Sequence, residues 1–141
     1  MNDTLRGQII MELATTAGLS YQIPVCLTFR QAASWGIELT FFLPGDAPVR
    51  WTVSRELLLD GLSTVAGEGD IQVRPLEWHD ADLVAIRLRS PEGEAQLIAP
   101  LAALHAYLLR TDMMTPFGEE FSEEWLESGI ARLLTDTGTL R

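Results

Sequence analysis

The 141-residue chain contains no lysine, and arginine supplies all ten of its cations. Arginine is the better residue for gripping an anion with two parallel hydrogen bonds, but a chain with no lysine anywhere reads first as the codon usage of a GC-rich genome. The absence excludes a Walker-type phosphate loop, which ends in lysine. Gly67-Glu-Gly-Asp70 is therefore not one: its carboxylates would repel phosphate, and its glycines suit a turn feeding a strand. Cys26 is the only cysteine, so no intrachain disulfide can form, and its place in Val25-Cys26-Leu27 reads as a buried, inert thiol. Histidine is almost as scarce. His79 lies in a polar stretch with Asp80 and Asp82, His105 beside Ala106 and Tyr107, and neither has a second ligand at metal-site spacing. No tightly held metal, no cofactor and no catalysis are expected. Long apolar runs are missing too. Nothing approaches the roughly 18–20 residues of a membrane span, and Met1–Arg6 has no signal-peptide pattern. A cytoplasmic protein without direct membrane insertion is expected, any membrane association going through a partner.

What is present is an ordinary globular composition, 47% apolar and 21% charged, with a net charge of −10. The acid is unevenly placed. Residues 1–110 hold 8 cations and 13 anions, whereas residues 111–141 hold 2 and 7, so each part is net −5. The length suits one domain, taken as residues 1–141 with a core of about 8–134.

Period-2 alternation dominates the first hundred residues. It marks strands around Ile9–Ala14, Pro24–Phe29, Ile37–Phe42, Val49–Ser54, Ile71–Pro75, Val84–Arg89 and Ala95–Leu97. Pro44-Gly-Asp46 and Ser90-Pro-Glu-Gly93 are turn chemistry. Ser54 is placed to cap a short helix, with Glu56 in its first turn and Gly61 at a left-handed C-terminal position. Leu101, Leu104 and Leu108 form a helical stripe, which Thr111–Gly118 breaks. Ser122 caps a final helix with Phe121 and Leu126 as a hydrophobic staple, an acidic first turn at Glu123 and Glu124, and Gly129 in its middle. The paired carboxylates Glu119/Glu120 and Glu123/Glu124 lack calcium-loop spacing and read as a solvated helix start. About seven antiparallel strands, one short helix and two C-terminal helices make an α+β domain.

Two surfaces invite a function. Arg50, Arg74, Arg87 and Arg89 occupy polar positions of alternating strands and so share the outward face of the sheet. They could bind single-stranded nucleic acid if aromatics supplied stacking platforms, but only Phe42 falls clearly on that face, and net charge −10 opposes it. Mixed-sign pairing on a solvated or inter-subunit face is the simpler reading. Phe121 and Trp125 on the acidic last helix are either core or an aromatic anchor for a protein partner.

Four segments in order carry more information than any one of them: Trp51-Thr-Val-Ser-Arg-Glu-Leu-Leu-Leu-Asp-Gly-Leu62, Val65-Ala-Gly-Glu-Gly-Asp-Ile-Gln-Val-Arg-Pro75, Ser90-Pro-Glu-Gly-Glu-Ala-Gln-Leu97, and Arg110-Thr-Asp112 with Pro116 and Gly118. Together they resemble the SsgA/SsgB-like family of actinobacterial sporulation and cell-division proteins, over roughly residues 8–134. The resemblance implies a non-enzymatic protein at the division septum. Its SsgB branch recruits the tubulin-like protein FtsZ and promotes its polymerisation, with an SsgA-like protein as a further partner. It also implies a curved antiparallel sheet like those of the Whirly and mitochondrial guide-RNA-binding proteins, assembled as a homo-oligomer, a trimer. The pattern departs at Phe29-Arg-Gln-Ala-Ala-Ser-Trp35, where the family commonly carries a Tyr-Asp-Pro-like segment, so a remodelled loop is expected there. A single-stranded nucleic-acid-binding module is the alternative, resting on fold analogy alone. A basic groove with exposed aromatics would favour it; an acidic surface with an apolar patch would favour a protein partner.

Overall fold

The computed structural model describes residues 3–15, 18, 20–43 and 45–119. Within them lie seven strands and two α-helices: β1 (Thr4–Thr15), β2 (Ser20–Arg30), β3 (Gly36–Phe42), β4 (Pro48–Ser54), α1 (Arg55–Asp60), β5 (Ile71–Trp78), β6 (Ala81–Ser90), β7 (Gly93–Pro100) and α2 (Leu101–Met114). All strands pair antiparallel in one sheet of order β4-β3-β2-β1-β7-β6-β5. The expected α+β class and all seven strands are present. The final helix expected from Ser122, and Phe121 and Trp125 with it, lie outside the described residues.

The sheet follows from hairpins whose turns match their residues. Gly45 takes a φ of 78° between β3 and β4, with the Asp46 amide donating to the Leu43 carbonyl at 3.0 Å. His79 and Asp80, at φ 52° and 62°, form a two-residue turn between Trp78 and Ala81. Both residues in left-handed backbone is the mirror-image turn that suits a twisted hairpin. The Phe29–Trp35 segment ends β2 in a single 3-10 turn over Gln31–Ala33.

Because β4 and β5 lie at opposite edges, the chain between them must cross the sheet. Helix α1 makes that crossing and packs on β3, β4 and β5. Ser54 caps it as expected, its Oγ accepting from the Leu57 amide at 3.1 Å. Gly61 differs from expectation: its φ is −68°, in ordinary helical backbone. Glycine is needed there for room, because a Cβ would stand 2.5 Å from Cβ of Val73. Gly67 does need the left-handed region, at φ 97°, and a Cβ there would strike the Ile71 carbonyl.

One face of the sheet wraps the core. Leu13, Val25, Leu27, Phe29, Ile37, Leu39, Val53, Val73, Val84, Ile86 and Leu97 are all fully buried, joined by Leu58 of α1 and Leu104 and Leu108 of α2. Odd-numbered residues of β1–β5 and β7 supply this face, as the alternation predicted. Cys26 is a correction: it holds an even position between Gln8 and Thr40, points outward and is partly exposed. The apolar run around it hid the parity, because Val25 and Leu27 face in while Pro24 and Cys26 face out.

Helix α2 runs further than expected, continuing through Thr111 to Met114. Thr111 stays helical because its hydroxyl donates back to the Leu108 carbonyl at 2.7 Å and accepts from Arg55 at 3.3 Å. The helix ends two residues before Pro116.

Candidate functional site

The largest fully buried side chain among the described residues is a charged one, Arg55 at the start of α1. Its guanidinium donates to the Thr115 carbonyl at 2.6 Å, the Thr111 hydroxyl at 3.3 Å and the Pro116 carbonyl at 3.3 Å. It lies between the rings of Phe29 and Phe117, 5.1 and 4.2 Å from their centroids. A guanidinium suits this position because it is flat, weakly hydrated and multiply donating. The arrangement ties α1, β2 and the end of α2 into one unit, and Gln31 adds a bond to the Met114 carbonyl at 2.7 Å. Arg55 is thus a fastener within the fold. Sequence reading missed it, since an arginine after a cap serine looks like a solvated helix start.

Tyr107 is a second fastener. Its hydroxyl donates to the Leu5 carbonyl at 2.8 Å, and its ring fills the space over Gly7. Burial pushes its phenol well above the ordinary value of 10.0, opposed by the nearby charge of Arg110.

Among the described residues, no group of three or more His, Cys, Asp or Glu side chains could hold a metal. His105 does line a shallow cleft of about 420 Å³ between α1 and α2, with Asp60, Ser63 and Thr64. His79 occupies the β5–β6 turn, its ring edge-on to Trp78 at 4.9 Å. At the opposite end, the β1–β2, β3–β4 and β6–β7 hairpins frame a mouth of about 360 Å³ floored by Leu13, Phe41, Trp51 and Leu88.

The outward face is where the remaining chemistry collects. Arg50, Arg74, Arg87 and Arg89 all point outward, as expected, but not into one cluster. Arg74, Arg87 and Arg89 stand together on β5 and β6, while Arg50 is on β4 at the far edge. Arg6 and Arg30 join the same face from β1 and β2. Arg89 meets Glu94 at 3.3 Å and Arg30 meets Glu38 at 3.9 Å. Phe42 is 54% exposed there, and Trp78, which sequence reading did not assign to this face, is 64% exposed.

The described residues thus form an antiparallel α+β domain whose helices are fastened to the inner face of the sheet and whose outer face carries charged and apolar side chains. The family model described as Streptomyces sporulation and cell division protein, SsgA, matches residues 23–120. The chain belongs to the SsgA family. It is 34% identical over 137 residues to the sporulation-specific cell division protein SsgB of Streptomyces coelicolor, covering 97% of this chain and all of that one. It is 35% identical over 129 residues to SsgB of Kineococcus radiotolerans, covering 90% and 78% of the two chains. Among solved structures it is similar to one from a study of SsgB mutations that correlate to longitudinal cell division in Streptomyces coelicolor sporulation. There the TM-score is 0.78 at 37% identity, over 85% of this chain and 94% of that one. An SsgA-like sporulation-specific cell division protein from Thermobifida fusca matches with a TM-score of 0.79 at 27% identity, over 94% and 98% of the chains.

Proposed function

We infer that this chain acts in sporulation septation as a non-enzymatic scaffold at the division septum, binding FtsZ, recruiting it to septum sites and promoting its polymerisation. An SsgA-like protein is its second partner, and it works as a homo-oligomer, with a trimer as the stoichiometry the resemblance implies. The carrying observation is the near full-length likeness to SsgB from Streptomyces coelicolor, a protein named for sporulation-specific cell division. The physical reading supports it. The Arg55 guanidinium and the Tyr107 hydroxyl are spent on fastening helices, and no helix among the described residues is long and apolar enough to cross a membrane. A fold like that of the Whirly and mitochondrial guide-RNA-binding proteins belongs to the same inference, supported by the curved sheet crossed by α1. Nucleic acid is not proposed as the partner.

Co-sedimentation with FtsZ filaments, alongside an unrelated acidic protein of similar size, tests the reading. The chain is expected in the pellet only when filaments form, with a rise in light scattering from FtsZ assembly. A chain that stays in the supernatant at micromolar concentration overturns it.

A further inference from the structure

The register of the sheet places an apolar row across the outward face, and it runs perpendicular to the strands. Leu76 of β5 pairs with Leu83 of β6, which pairs with Pro100 of β7. Ile10 of β1 pairs with Pro24 of β2, and Phe42 of β3 with Pro48 of β4. Continuing the β1–β7 register by two residues sets Ile10 in line with Pro100; continuing β2–β3 sets Phe42 in line with Pro24. Three paired groups thus fall on one line across all seven strands, a span of about 29 Å at the usual strand spacing. Ile10 is 53% and Phe42 54% exposed, and Pro24, Pro48 and Pro100 are also exposed. Single exposed apolar residues mean nothing, but a contiguous apolar strip with polar neighbours marks an interaction surface.

The charge of that face says what kind of partner. Its outward strand positions carry Arg6, Arg30, Arg50, Arg74, Arg87 and Arg89 against Glu12, Glu38 and Glu94, six cations to three anions. The described strand positions of this face are therefore net +3 on a molecule whose net charge is −10. Two copies meeting face to face would set these positive faces against each other, which disfavours self-association through this face.

We propose that this outward face, with the Ile10–Phe42 row as its apolar centre, is the docking surface for an acidic protein partner whose apolar side chains lie between carboxylates. On the reading above that partner is FtsZ, and the inference rests on that reading. Phe42 is the row's one aromatic, and the other exposed aromatic of the face, Trp78 on β5, stands five strands away, so the face offers no run of stacking platforms for successive bases, and its leucine, isoleucine and proline residues suit side-chain burial better. Glu12, Glu38 and Glu94 would repel a phosphate backbone, whereas a partner presenting both signs can pair with them.

The test uses the full chain and FtsZ filaments in co-sedimentation, with thermal melts of every variant. Ile10→Ser with Phe42→Ser removes the apolar centre, and Arg74→Glu reverses one charge. Leu109→Ser with Met113→Ser changes exposed residues of α2 as a control. The expected result is filament affinity weakened about tenfold or more in the first two variants and within about twofold of wild type in the control. Wild-type affinity in the folded Ile10/Phe42 variant overturns the surface and leaves FtsZ binding standing. Should that variant not fold, Arg74→Glu decides, and its unchanged binding overturns the proposal equally. Absence of wild-type protein from the pellet overturns both readings. Binding of a labelled 20-nucleotide single strand that Arg74→Glu abolishes would make this a nucleic-acid surface and overturn the proposal as well.

Discussion

The two faces of this sheet are built from the same strands, residue by alternating residue, yet they do opposite work. The inner face is apolar and fully buried at Leu13, Leu27, Leu39, Val73 and Leu97. The cation buried against it among the described residues, Arg55 of α1, is bonded to two carbonyls and a hydroxyl and flanked by two rings. The outer face has cations, glutamates, exposed aromatics and an apolar row that is exposed from Pro100 through Ile10, Pro24 and Phe42 to Pro48 and half-buried at Leu76 and Leu83. A one-residue slip in any strand would exchange the two. The difference teaches where substitutions should be felt: inward changes should cost stability, and outward changes should cost partnership while the domain stays folded.

The largest effect is expected at Arg55. Arg55→Ala leaves the part-buried Thr115 and Pro116 carbonyls without their donor, empties the space the side chain fills and removes the stack with Phe29 and Phe117. It should destabilise the protein by about 3–5 kcal/mol, read from urea unfolding by circular dichroism. A loss below about 1 kcal/mol would mean that the inner face does not depend on its cation.

A matched pair sharpens the comparison directly. Leu97→Ala, on the inner face of β7, should cost about 2–5 kcal/mol. Ile10→Ala, on the outer face of neighbouring β1, should stay within about 0.5 kcal/mol. Equal costs would show that the outer row is already covered, for instance by a second copy.

Tyr107 offers a pH test of the helix–sheet contact. Its phenol ionises near 10.0 when unfolded and higher when folded. The stability held by the neutral hydroxyl is therefore complete below pH 10 and is lost as pH rises from there toward the folded value, by up to about 1.4 kcal/mol per pH unit. Tyr107→Phe should be less stable at neutral pH by about 1 kcal/mol and should show a shallower decline above pH 10 than wild type.

The smallest effect belongs to the exposed pairs. Glu94→Gln, which releases Arg89, should change stability by less than about 1 kcal/mol, and even less at high salt. A larger change would argue that the outer face contributes to folding after all.

The strands were legible because alternation over six or more residues is a strong signal, and the outward placement of Arg50, Arg74, Arg87 and Arg89 followed from the same parity. Cys26 was misread because two inward neighbours made its surroundings look uniformly apolar. Gly61 was misread because sequence shows that a glycine is present but not whether it serves φ or space, and Val73 supplies the answer from another strand. Arg55 was invisible because its partners lie far off in the chain, Phe29 26 positions before it and Thr111 to Phe117 56 to 62 positions after it. The apolar row was hidden for a related reason. Its residues occupy one position in each strand, and only the register of six pairings lines them up.

Hydroxyl-radical footprinting of the full chain with and without FtsZ filaments tests the division between the faces most directly. Ile10, Phe42 and Trp78 are exposed on the outer face, and Met113, 86% exposed, reports on α2. The account predicts that filaments shield Ile10, Phe42 and Trp78 from oxidation while Met113 remains as reactive as in the free protein. Shielding of Met113 with Ile10 and Phe42 unchanged would place the partner on the helical side and contradict it.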